Sequence, residues 1–209
     1  MTHGFLDRLR RHDAPAIPLQ LAGPSQVRAY WEGLRQDGAL PARSALDPRG
    51  FSGVLDRVFL AERIGNGLAQ VRVAGSALTA LAGTDLRGLP LSCLFTSESR
   101  PLLASALEEV FAAPAVAEMD LGSDRDRTGL AIARLILLPL EDDGDCRQLL
   151  GVVGFGPGIT ACKLQVLGRR SERLTVPSRA AIQTPLVPGP AACVTGQRGH
   201  LRLVHFNAD

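Results

Sequence analysis

Four histidines and four cysteines are the residues of this 209-residue chain best equipped for nucleophilic, redox or metal chemistry. Their spacing serves none of these. The histidines are His3, His12, His200 and His205, all near the two ends. The cysteines stand at 93, 146, 162 and 193, with no C-x-x-C pair and no His at metal-site spacing. A nucleophile needs a base in reach, and no G-x-S-x-G occurs. "GVVGFGPG" (151–158) imitates a phosphate-binding glycine loop but lacks the Lys-Ser/Thr that follows in such loops. It reads as a strand leaving through Gly-Pro turns. The carboxylates of "EDDGD" (141–145) are consecutive turn residues and read as a solvated turn. The sequence therefore predicts no catalytic residue, no metal site and no enzyme. One charge is out of place: Arg134 lies inside the apolar run "LAIARLILLPL". It either faces solvent or meets the anionic head of a ligand.

The elements that would position these residues belong to an ordinary globular chain. Hydrophobic residues make up 45% and charged residues 21%, with a net charge of +2. That composition is enough for a real core without disulfide staples. The charge is uneven. Residues 163–209 hold seven basic and two acidic residues, +5, which leaves −3 for residues 1–162. The tail is the one electrostatic candidate for an anionic partner, but it carries a single aromatic, Phe206. Nucleic-acid binding is disfavoured. No stretch reaches the length of a membrane span, no secretory signal is evident, and the scattered thiols suit a cytoplasmic location.

Tyr30 and Trp31, the chain's single Tyr and Trp, sit in "PSQVRAYWEGLRQD" (24–37). Val27, Tyr30, Trp31 and Leu34 recur at helical spacing and form one apolar stripe. Pro24 and Ser25 mark a start, Gly38 a stop, and Arg28 is spaced to pair with Glu32. The Pro-containing connector "ALPARSALDPRGF" follows, with Arg43 and Asp47 as candidates to fix its path. "RVFLAERI" and "LAQVRVAG" are strands joined at Asn66–Gly67, a hairpin signal because both turn positions accept positive φ. "SALTALAG" (76–83) is a short helix. "SESRPLLASALEEVFAA" (97–113) is a longer one, with Ser97 as cap and a buried stripe of Leu102, Leu103, Ala106, Leu107, Val110 and Phe111. Strands are expected at about 115–122, 128–139 and 148–156. Beyond 156, "KLQVLG", "RLTVP" and "HLRLVHF" are short strand candidates around the Pro-rich loop "SRAAIQTPLVPGPAA".

The order β-β-α-α-α-β-β-β over residues 57–156, with the wording "GSALTALAGTDLRGLPL" (75–91), resembles the PAS sensor domain. "YWEGLR…LPARSALDPRGF…VLDRVFL" resembles a branch of small stand-alone bacterial PAS proteins, the PAS_5-type family, in which a Trp-bearing helix and connector precede the core. The resemblance implies an α+β fold: a five-stranded antiparallel sheet with helices on one face, preceded by an N-terminal amphipathic helix. It divides the chain into a flexible N-terminus (1–23), the helix and connector (24–56), the PAS core (57–156) and a basic extension (157–209).

The implied activity is sensory or regulatory and non-catalytic. The implied partners are a second copy of the chain, a signalling kinase or another PAS protein. The stripe Val27, Tyr30, Trp31 and Leu34 is then the expected interface of a homodimer. The alternative is a small-molecule receptor, with Leu78, Leu81, Leu94, Phe95, Leu107, Ile132, Arg134, Val153 and Phe155 lining a cavity between helices and sheet. No cofactor is predicted. Haem is disfavoured because no His falls within 57–156, with Cys93 and Met119 as weak substitutes. Flavin is disfavoured because "PLSCLF" around Cys93 departs from the flavin-reactive motif.

Overall fold

Two hydrophobic periods dictate the architecture. The apolar runs of the later strands need cover on both faces, and the helical stripes supply it. The computed structural model describes residues 22–176, except 127, 143, 144, 158 and 160. The expected N-terminal segment, the tail loop and "HLRLVHF" lie outside the described residues, as do all four histidines and Cys193.

The described residues form three helices and six strands in the order α1 (Ala22–Leu34), β1 (Val58–Gly65), β2 (Leu68–Ala74), α2 (Ser76–Ala82), α3 (Arg100–Ala112), β3 (Ala115–Ser123), β4 (Ala133–Asp142), β5 (Asp145–Phe155) and β6 (Leu164–Arg173). Short 3-10 turns occur in the connectors, the longest at Pro48–Arg57. All strand pairs are antiparallel, in the order β2-β1-β5-β4-β3-β6. The sheet thus has six strands where five were expected. β6 pairs with β3 along Ala115–Ser123 and forms one edge.

The β1–β2 hairpin turns where expected. Gly67 takes φ 64°, while Asn66 is not left-handed. A Cβ on Gly67 would stand 2.7 Å from the Ala104 Cβ, so Gly is required there for space as well as for φ. Glu108 on α3 accepts from the Gly67 N–H at 2.6 Å and from Arg63 at 2.8 Å, pinning the hairpin to that helix.

Two cores share the sheet. On one face α2, α3 and the segment 86–95 pack on Phe59, Ala61, Val71, Met119, Leu121, Leu135, Leu137, Leu149 and Val153. On the other, α1 and the connector pack on Val58, Val116, Ile136, Leu138, Leu140, Leu150 and Val152. β4 and β5 are buried on both faces, which is why "LILLPL" and "LLGVV" read as unbroken apolar runs.

Several local expectations are corrected. The first helix begins at Ala22 and ends at Leu34, before Asp37 and Gly38 take positive φ. Ser99, not Ser97, is the residue before α3, and Leu102 points outward at 46% exposure. Arg28 does not pair with Glu32. Glu32 pairs instead with Arg35 at 3.3 Å.

Candidate functional site

The residues expected around the space between the helices and the sheet do come together there. Leu78, Leu81, Leu94, Phe95, Leu107, Val153 and Phe155 belong to one buried cluster, and the half-buried Ile132 packs against it. Arg57 closes one end, donating from Nη1 to the Phe155 carbonyl at 2.8 Å with its guanidinium 4.8 Å from the Phe155 ring centre. Arg134 does not belong to this set. Neighbouring strand residues alternate in face, so Arg134 lies with Ile136 and Leu138, opposite Leu135. There it pairs with Asp120 at 2.8 Å, its partner across the β3–β4 ladder.

The α1 stripe likewise has an owner within the chain. Val27 and Trp31 have no exposed surface, and both pack on the outer face of the sheet. The ladder between β4 and β3 ends at Leu137, which leaves the Pro139 carbonyl to accept the Trp31 indole N–H at 2.9 Å. Tyr30 is half-buried. Its hydroxyl accepts from the Asp47 N–H at 2.7 Å, and its ring meets Phe51 edge-on at 5.2 Å. Leu34 is half-buried at the end of the helix. Arg35 lies 5.4 Å from the Trp31 ring centre and donates to the Gly38 carbonyl at 2.6 Å. The residues expected at a partner interface are thus joined first to this chain's own sheet.

Beside α1 lies an ionic cluster. Arg28 Nη1 donates to Glu118 at 2.6 Å and Nη2 to Glu172, so one guanidinium ties the first helix to β3 and β6. Burial works against its charge, but the hydrogen bonds to Glu172 and Glu118 outweigh it and hold the Arg28 pKa above the ordinary value. Every cation of this cluster has an anion, which suits a positioning role for α1. Among the described residues no group of His, Cys, Asp and Glu could hold a metal ion. Cys93, Cys146 and Cys162 are half-buried, and the Cys146 thiol donates to the Val110 carbonyl at 3.5 Å.

The feature that sequence reasoning missed is a groove on the outer face, where α1 does not reach. Its volume is about 750 Å³. Phe51, Leu55, Val58, Leu60, Val73 and Leu150 form its apolar floor and walls, with Arg43, Ser44, Glu141 and Asp142 at its rim. The connector builds one wall. The Pro41 carbonyl accepts from the Glu141 N–H at 2.9 Å, and the Asp47 carboxylate caps the Arg49 N–H at 2.9 Å. Asp47 therefore does fix the connector's path, as its position suggested, and Arg43 does not. A signal was available in the apolar residues of "LILLPL" and "LLGVV" that two-faced strands leave for a second layer.

No helix among the described residues is long and apolar enough to cross a membrane. No curated protein sequence matches the chain. One family model, described as a PAS domain, matches residues 20–154, well over half of the chain.

Proposed function

The chain belongs to the PAS domain family, and from that premise we propose that it is a non-catalytic regulatory module that acts through protein–protein contact in bacterial signalling, as a homodimer. One observation carries this reading. The apolar side of α1 is covered by the sheet, and the opposite side of the same helix stands in solvent. That side presents the exposed, small Ser25, Ala29 and Gly33, with the partly exposed Glu32 beside them paired to Arg35. A helix face of small residues, held rigid by Trp31 below it, suits close approach by the same face of a second copy.

Size-exclusion chromatography with light scattering tests it. The parent chain is expected at twice its 22.2 kDa mass. Gly33→Trp, at a position where an added Cβ meets nothing within 4 Å, is expected to convert it to monomer without unfolding. A monomeric parent, or a dimer indifferent to both Gly33→Trp and Ala29→Trp, would overturn the proposal.

A further inference from the structure

We infer that the outer-face groove is a binding site for a small amphipathic anion: an apolar chain or ring system carrying one carboxylate or phosphate, with its head at Arg43. The volume of about 750 Å³ falls in the range of small-molecule sites, roughly 300–1,000 Å³. The lining has the composition such sites share, an apolar floor with few polar groups at one end. Leu55 and Val73 face the groove at 41% and 46% exposure, surface that an apolar body would cover.

The rim group left without a partner selects the head group. Asp142 accepts from the Gln148 amide at 2.8 Å, and Glu141 is also engaged. The Arg43 carbonyl accepts from the Leu46 N–H at 3.2 Å, but its side chain makes no hydrogen bond or ion pair among the described residues, and it is the one arginine among the residues that line the groove. Its backbone is nonetheless held in place, between the Pro41–Glu141 hydrogen bond and the Asp47 contacts to Tyr30 and Arg49. A fixed backbone with an unpaired planar guanidinium above an apolar floor is suited to a bidentate carboxylate or phosphate. The Ser44 hydroxyl beside it adds a donor.

Calorimetric titration of the full chain with four probes of one chain length tests the site: decanoate, decyl phosphate, decanol and decyltrimethylammonium. Saturable binding of the two anions is expected, with the tighter one identifying the head. Arg43→Ala is expected to weaken the preferred anion about tenfold and leave decanol unchanged. Val73→Asp is expected to abolish binding of all four. Both side chains are exposed, so both variants should melt with the parent, and that measurement separates loss of the site from loss of the fold. Absence of saturable anion binding, equal binding of decyltrimethylammonium, or indifference to Arg43→Ala would overturn the inference. The groove lies away from the outward side of α1, so such a result leaves the dimer reading untouched.

Discussion

Trp31→Ala separates a residue that holds the protomer together from one that holds two protomers together. The Trp31 side chain is wholly buried. About 200 Å² of largely apolar surface leaves water, worth about 5 kcal/mol as an upper figure. Alanine keeps a small part of this, a cavity opens, and the Pro139 carbonyl loses its donor. The Arg35 guanidinium also loses the ring it lies against. The net loss is expected at about 3–5 kcal/mol, a fall in melting temperature on the order of 10 °C for a chain of this size. Urea unfolding followed by far-UV circular dichroism, at two protein concentrations tenfold apart, is the assay. Because Trp31 packs on its own sheet, the difference between variant and parent should be the same at both concentrations. Trp31→Phe keeps a ring but strands the Pro139 carbonyl, and should lose about 1–3 kcal/mol. A loss below about 1 kcal/mol for Trp31→Ala, or a difference that grows on dilution, would refute the reasoning.

A Cβ on Gly151 would stand 2.0 Å from the Phe59 ring. Gly151→Ala should therefore cost about 1–3 kcal/mol, and a double-mutant cycle with Phe59→Leu should recover part of it in denaturant titrations. Glu109 accepts a hydrogen bond from Ser171 at 2.5 Å and pairs with Arg169, which together hold its pKa below the ordinary 4.5. A carboxylate depressed on folding stabilises above its unfolded pKa and loses that contribution as pH falls through the folded value. The stability gap between parent and Ser171→Ala should thus be present near neutrality and close in acid, as read by melting temperature across a pH series; a gap independent of pH would contradict it. Arg28→Met leaves Glu118 and Glu172 without their cation. It should cost about 1 kcal/mol and be partly rescued by Glu118→Gln in the same unfolding assay.

Much of the fold was legible because its signals are local. The hairpin at Gly67 and most of the α3 stripe each follow from a few adjacent residues, whereas Glu141, Asp142 and Asp145, read as turn residues, lie in β4 and β5. β6 was read as a fragment because it is an edge strand. Beyond Leu164 its pattern is "QVLGRRSER", mostly exposed, with no alternation strong enough to show nine paired residues. Its pairing with β3 depends on Glu118, Asp120 and their outer-face neighbours, far away in sequence. Arg134 was grouped with the interior because the run around it is apolar on both faces, and hydrophobicity then carries no parity. Period-two counting from Leu135 places it correctly. The stripe on α1 was read correctly as apolar, yet nothing local tells whether such a stripe meets its own sheet or another chain. The groove was invisible because its floor and its cation come from four separate segments.

The Trp31–Pro139 hydrogen bond spans 108 positions and the Arg28–Glu172 pair 144. α1 leaves the ribosome early, while the surfaces that receive it are made last. At about 5–20 residues per second, Val27 and Trp31 wait on the order of 5 to 20 seconds before Pro139 is synthesised. Throughout that interval the stripe is an exposed apolar helix with nowhere to dock. Folding of this chain therefore has a vulnerable period written into its topology, and the outer layer closes only when the sheet beneath it is nearly complete.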